Sequence, residues 1–281
     1  MKQIVNRDCN LAYEVVNAGN TGDTVLFFNG SLSTMSSWLP ITEILRKRGI
    51  QVLVHDMRGQ LSSPWTGPIS YKDHSYDAKA ILEAEGLNRV HVVGISYGSV
   101  AAQTFAADWP DITKSLILVS AFSEMDANTQ AWVKRFIEWG HDALMSPEHK
   151  KAAYMNIAPL LFSTNFAEKN PDMLLKGAEM YRGLPDMFFE GMVQIYSNQI
   201  TNTPITHRLK EIVCPTLVVH AEEDILTPWP LSKKILAEIA NSEVIRIPGA
   251  GHAVNAEKPQ LVDSIMTGFI SGFKYFSSAK I

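Results

Sequence analysis

The chain has 281 residues, 46% hydrophobic and 19% charged, with a formal net charge of −4. Such a composition fills a sizeable core and excludes a disordered chain. The acidic balance supplies no basic field to replace phosphate counterions, so nucleic acid is not an expected partner.

The first segment, MKQIVNRDCNLAYEVV, alternates polar and apolar residues and lacks the apolar core of a secretory signal. No apolar run in the chain reaches membrane-spanning length. The two cysteines, Cys9 and Cys214, provide neither a disulfide framework nor metal-ligand spacing. These features lead us to expect a soluble, reduced, cytoplasmic protein with no membrane span.

LAYEVV (11–16) alternates like an early antiparallel strand. TVLFF (24–28), QVLVHD (51–56), RVHVVG (89–94) and SLILVS (115–120) are apolar runs bounded by turn residues, as expected of strands buried on both faces of a parallel sheet. Helical patterns separate them. WLPITEILRKRG puts Leu39, Ile41, Ile44 and Leu45 roughly on one face, ends in the basic cluster Arg46-Lys47-Arg48, and stops at Gly49; SYDAKAILEAEG stops at Gly86. From about 122 to 207 the periodicity is helical throughout. Strand signals return with PTLVVH (215–220) and EVIRI (243–247), with helices expected around 231–239 and near 259–273. In the last helix Leu261, Val262, Ile265, Met266, Phe269 and Ile270 form a stripe. The expected fold class is α/β, interrupted by an all-helical insertion.

HVVGISYGSVAAQ (91–103) sets glycine two positions before and two after Ser96, where a strand turns into a helix. A sharp corner forces its central residue into an unfavourable conformation and crowds the flanking side chains, which glycine removes. It also exposes the serine hydroxyl and places the Tyr97 amide at a helix N-terminus, aimed at a developing oxyanion. The alternative is an ordinary Gly-Ser turn. A nucleophilic serine needs a base. Among eight histidines, His252 stands out, in the glycine-rich loop IPGAGHAVNAEKP after the last strand. His55, His91 and His220 lie in or beside strands and suit packing. His74, His141, His149 and His207 fall in polar surroundings and suit the surface. The orienting carboxylate is expected from LVVHAEEDILTP. There Asp224 sits furthest beyond the strand, Glu222 and Glu223 read as solvated, and Asp126 is a fallback acid. The order Ser96, Asp224, His252 differs from the orders found on other serine-hydrolase folds.

Together, FFNGSLSTMSSW, VHDMRGQLSSP, VVGISYGS, PTLVVHAEEDILTP and IPGAGHAVNAEKP resemble the α/β-hydrolase superfamily in its lid-bearing esterase and lactonase branch. The resemblance covers nearly the whole chain. It implies an eight-stranded, mostly parallel sheet with helices on both faces and an inserted all-helical cap. Residues 1–121 and 207–281 would then be the two parts of the core, and 122–206 the cap. The loop NGSLSTMSSW matches the family's other oxyanion donor, which by position is the amide of Ser31, or else that of Leu32. Asn29-Gly30 stands where His-Gly is common. Enol-lactonase-like members also carry Asn there, which leans the expectation toward lactones. The Ser31 hydroxyl either touches substrate or bonds its own backbone. DMRGQLSSP resembles the segment D-x-R-G-x-G-x-S, with Leu61 where glycine is common and Arg58 expected to tie loops together.

The cap region holds seven of the eleven methionines and many aromatic residues, which suits an adaptable apolar pocket. Asn29, Leu32, Met187, Phe188, Phe189 and Met192 are the expected pocket residues. These features point to a serine hydrolase acting on a small or medium, mostly apolar ester or lactone, with no cofactor and no metal. Thioesterase, acyltransferase, carbon–carbon bond hydrolase, cofactor-free haloperoxidase and hydroxynitrile lyase share the same three residues. Epoxide hydrolases and haloalkane dehalogenases use aspartate where Ser96 stands. A small-ligand receptor on the same scaffold is the non-enzyme alternative.

Overall fold

A computed structural model, which describes residues 1–19 and 22–272, places eight strands in one sheet. They are β1 (Lys2–Asn6), β2 (Cys9–Val16), β3 (Thr24–Phe28), β4 (Gln51–His55), β5 (Val90–Ile95), β6 (Thr113–Val119), β7 (Thr216–Ala221) and β8 (Ser242–Ile247). Their order across the sheet is β1-β2-β4-β3-β5-β6-β7-β8. β1 pairs antiparallel with β2, and β2 antiparallel with β4; all other pairings are parallel.

β1 has no counterpart among the strands expected from the sequence. It is an edge strand of mostly exposed residues, and only Ile4 packs against the core. An alternation with one inward residue carries little periodic signal.

Helices α1 (Leu39–Lys47), α2 (Tyr71–Ala84) and α3 (Tyr97–Asp108) fall between the early strands. α2 begins earlier than its apolar pattern, because Ser70 and Asp73 close a capping box around its first turn. Between β6 and β7 stand five α-helices, α4 (Ala127–Ala143), α5 (Pro147–Leu161), α6 (Thr164–Lys169), α7 (Pro171–Arg182) and α8 (Asp186–Asn202), followed by a short 3-10 helix (Thr206–Glu211). Asp126, Ser146 and Ser163 cap α4, α5 and α6 with their side chains. α9 (Trp229–Glu238), α10 (Val254–Glu257) and α11 (Pro259–Ile270) are the last helices among the described residues. Phe273, at the end of the expected last helix, lies outside the described residues. Leu39 and Leu261, expected on apolar stripes, are exposed in the first turns of α1 and α11.

The central strands are apolar at nearly every position because both sheet faces are covered. Leu26 and Phe28 join the layer containing Ile81 of α2, Ala101 of α3 and Ile235 of α9. Val25 and Phe27 join the layer containing Leu45 of α1 and Met266 of α11. Each such burial contributes about 1.5–3 kcal/mol relative to exposure, so the middle of the sheet anchors the loops at its carboxyl ends. The insertion has its own apolar cluster, including Phe136, Tyr154, Ile157, Tyr181 and Phe189. α8 lies tightly on the core: a Cβ added to Gly191 would fall 1.8 Å from the Gly59 carbonyl oxygen. Among the described residues no helix is long and apolar enough to cross a membrane.

Candidate active site

Ser96 sits between β5 and α3 with φ 53° and ψ −124°. A non-glycine residue in such a region costs about 1–3 kcal/mol and persists only where its surroundings over-determine it. Here the Ser96 amide donates to Val119 O at 3.0 Å, and the Ser99 amide donates to Ser96 O at 2.8 Å. The flanking glycines answer a close approach. A Cβ at Gly94 would lie 2.4 Å from Gly98 O, and one at Gly98 would lie 2.3 Å from Asn29 O. The crowding at Gly98 thus comes from the end of β3, far away in sequence.

The loop after β8 brings His252 to this corner, with Nε2 2.8 Å from Ser96 Oγ. Its Nδ1 lies 2.8 Å from Asp224 Oδ2. Asp224 Oδ1 accepts from the amides of Leu226 (2.9 Å) and Thr227 (2.8 Å), and Oδ2 accepts from Thr227 Oγ1 at 2.6 Å. Burial works to raise the Asp224 pKa, but the pull of the imidazole when it carries a second proton and the hydrogen bonds from His252 and Thr227 outweigh it and hold the carboxyl at about 2. A carboxylate so held favours a proton on His252 Nδ1 and leaves the Nε2 lone pair facing the serine hydroxyl. Glu222 pairs with Arg246 at 3.0 Å on the surface, Glu223 is exposed, and Asp126 caps α4.

Three supporting residues escape the sequence reading. Ser120, at positive φ after β6, donates from Oγ to His252 O at 2.7 Å. Thr227 secures Asp224, and its spacing of three from an aspartate is a local signal that could have revealed it. Glu257 accepts from Ser163 N (2.7 Å), Ser163 Oγ (2.6 Å) and Gly251 N (3.0 Å), tying the histidine loop to the insertion. Nothing in the local sequence marks Glu257.

On the opposite side, Asn29 is wholly buried and does not line the cavity, contrary to expectation. Its side chain braces the loop instead. Nδ2 donates to His55 O and Gln60 Oε1, both at 2.8 Å, and Oδ1 accepts from Trp38 Nε1 at 2.7 Å. Gln60 in turn donates to Gly30 O at 2.8 Å. Ser31 Oγ donates to the hydroxyl of Tyr196 on α8 at 2.8 Å, a partner neither sequence alternative foresaw. The Tyr97 side chain turns away from the cavity into the core, where its hydroxyl lies 2.8 Å from His74 Nε2 and accepts from Asn198 Nδ2 of α8. His74, expected at the surface, is wholly buried by these contacts. Arg58 ties loops: it forms a buried ion pair with Asp77 and donates to Asn6 O.

A cavity of about 560 Å³ opens onto Ser96 and His252. Leu32, Phe122, Val133, Phe136, Phe162 and Tyr196 are among the residues lining it, and among the described residues no Asp, Glu, Lys or Arg does so. Met187 is 42% exposed, and Phe188, Phe189 and Met192 pack inside the insertion; none of the four lines the cavity. Phe189, Met192, Tyr196 and Gln199 follow one helical stripe, but only its last turn, with Tyr196 and Gln199, reaches the cavity. The earlier turns meet Tyr181 and the rest of the insertion. Among the described residues no three His, Cys, Asp or Glu side chains come together to hold a metal ion.

Behind the site, burial pulls His55 down to about 4 and His74 down to about 3, both from an ordinary 6.5. The unfolded chain takes up these protons near 6.5 and the folded chain does not, so stability is full above that pH and is lost as pH falls toward 4. The urea midpoint should therefore drop between pH 7 and 4.5, and His55→Leu should drop less than the parent. Equal drops would remove His55 from the account.

A family model described as alpha/beta hydrolase fold matches residues 23–259. RutD of Pantoea ananatis (strain LMG 20103), provisionally named a carbamate hydrolase, is 22% identical over 263 residues, which is 92% of each protein. The structure of MGS-M2, an alpha/beta hydrolase enzyme from a Medee basin deep-sea metagenome library, aligns with TM-score 0.88 at 24% identity over 100% of both chains. The enol-lactonase from Burkholderia xenovorans LB400 aligns with TM-score 0.83 at 17% identity, over 96% of this chain and 100% of its own. At these identities the structural likenesses speak for the fold, while substrate choice lives in the site. Because the matched span runs from β3 to the start of α11, and so takes in the whole parallel sheet with the loops bearing Ser96, Asp224 and His252, the chain belongs to the alpha/beta hydrolase family of enzymes.

Proposed function

We propose that the protein is a serine hydrolase that cleaves an uncharged, mostly apolar carboxylic ester or lactone of small to medium size. The observation that carries this reading is the unbroken line Asp224–His252–Ser96, each step 2.8 Å, ending in a cavity that, among the described residues, no Asp, Glu, Lys or Arg lines. Ser96 Oγ attacks the carbonyl carbon as its proton passes to His252 Nε2. Asp224 keeps the ring oriented and stabilises the imidazolium. The amides of Ser31 and Tyr97 hold the tetrahedral oxyanion, a role in which one donor is worth about 3–4 kcal/mol. His252 returns the proton to the leaving alkoxide, and the acyl group stays on Ser96. Water, deprotonated by the same nitrogen, then releases the acid and restores the serine. For a lactone, the leaving alkoxide remains part of the acyl chain.

A panel of p-nitrophenyl esters, lactones, thioesters, carbamates and a vinylogous diketone tests this reading. Neutral esters or lactones should be turned over best. A hemisuccinate ester of the same length should fall about tenfold or more in kcat/KM, because no cation in the cavity meets its carboxylate. Fluorophosphonate should phosphonylate Ser96 Oγ with loss of fluoride, adding the mass of the reagent less HF. Faster turnover of the diketone than of any ester, or hydrolysis without labelling at Ser96, would overturn it.

A further inference from the structure

We infer that α8 of the insertion is the positioning element for the oxyanion site, with Tyr196 fixing Ser31 and Asn198 fixing Tyr97. This rests on the proposed hydrolase reading and extends it to residues that never touch the reacting atoms. The two amides in question come from separate parts of the chain, the loop after β3 and the first residue of α3. Stabilising an oxyanion requires both to hold their positions within about 0.5 Å; the two segments meet where Gly98 packs on the Asn29 carbonyl, and α8 adds a side-chain tie to each.

A single helix touches both. Residues 196 and 198 lie two apart on α8, so their side chains leave on widely separated bearings. Tyr196 points to the cavity, where its hydroxyl accepts from Ser31 Oγ at 2.8 Å. Asn198 is buried on the core side and donates from Nδ2 to the Tyr97 hydroxyl. The Asn198 amide is oriented from behind, since its Oδ1 accepts from Asn202 Nδ2 at 2.6 Å. Tyr97 is held from the other side by His74 at 2.8 Å and by the ring of Tyr71, at a centroid distance of 5.1 Å.

The helix is itself packed against the loop after β4, which in turn braces the loop bearing Ser31. Gly191 of α8 approaches the Gly59 carbonyl so closely that a Cβ would sit 1.8 Å from its oxygen. The next residue, Gln60, donates to Gly30 O at 2.8 Å, one residue before Ser31. α8 therefore reaches the first amide by two routes and the second by one.

The test uses the full chain with Tyr97→Phe and Tyr196→Phe, each of which deletes one oxygen and leaves both amides in place. Asn198→Leu probes the same tether from α8. On p-nitrophenyl butyrate each variant should lose about tenfold in kcat with KM within about twofold, the pattern of an interaction made only in the transition state. The inhibition constant of an aryl trifluoromethyl ketone should rise by the same factor as kcat/KM falls, because its hemiketal oxyanion occupies the same hole. Fluorophosphonate should still label Ser96 to completion. Parent enzyme that neither hydrolyses the ester nor labels would remove the hydrolase reading and this inference with it. An active, labelled parent whose two tyrosine variants keep kcat and ketone affinity within about twofold would overturn the positioning role alone. A rise in KM with unchanged kcat would also overturn it, by making α8 a substrate-binding wall.

Discussion

Ser96→Ala should fold like the parent and lose p-nitrophenyl ester turnover by roughly 10⁴- to 10⁶-fold. The expected loss is large because the hydroxyl is the group whose oxygen bonds to the substrate carbonyl, and among the described residues no other hydroxyl is held 2.8 Å from His252 Nε2. Stability should change little. The Ser96 side chain makes its hydrogen bond to His252, while the corner is held by backbone bonds to Val119 and Ser99. Alanine keeps a Cβ at φ 53° and so keeps the strain. Ser96→Gly should be equally inactive but more resistant to urea than the alanine variant, since glycine adopts that φ without a steric cost. Activity of the alanine variant within about threefold of the parent would remove Ser96 from the chemistry, because no nucleophile-deletion mechanism leaves so much. Melting curves on all three proteins separate a catalytic loss from a folding one.

Asp224→Asn should lower kcat by roughly 10⁴-fold, whereas Glu223→Gln should leave it unchanged. The two acids are adjacent in sequence and opposite in setting. Asp224 is 4% exposed and accepts four hydrogen bonds, from Leu226, Thr227 twice, and His252. Glu223 is exposed, and the two imidazole nitrogens lie against Asp224 and Ser96 instead. An asparagine in place of Asp224 can turn its NH₂ toward His252 Nδ1. That forces the ring proton onto Nε2, where the serine proton must arrive. The pH–rate profile at saturating ester reads this directly. Raising the pH should not restore kcat, because the fault is the tautomer and not the charge of the ring. A large loss in Glu223→Gln with little in Asp224→Asn would assign the acid wrongly.

How visible each residue was in the chain follows from how locally it is determined. The strand TVLFF needs only its own apolar run and the turn after it, and it emerges as β3 with matching ends. Gly94 announces Ser96 because the corner folds it onto Gly98 and Ala102 of its own segment, whereas Gly98, equally visible, answers the distant carbonyls at the end of β3. Edge strand β1 stays silent because its outward residues face water. The pocket residues divide along the same line. Leu32 lies in a loop next to the site and lines the cavity, whereas Met187, Phe188, Phe189 and Met192 do not. A helical stripe specifies a direction around α8 but not how far along its axis the cavity begins.

The amino-acid sequence on its own determined the alternation of buried strands and amphipathic helices, the helical insertion between β6 and β7, and the presence of a constrained serine corner. These are set by short-range sterics and by the period with which apolar side chains must meet a core. Only the tertiary structure decided that Asn29 braces a loop, that His74 is buried behind Tyr97, that Glu257 joins the histidine loop to the insertion, and that α8 grips both Ser31 and Tyr97. Those pairs are separated by up to 165 positions in the chain. Such contacts depend on where whole elements come to rest against one another, and no window of neighbouring residues carries that information.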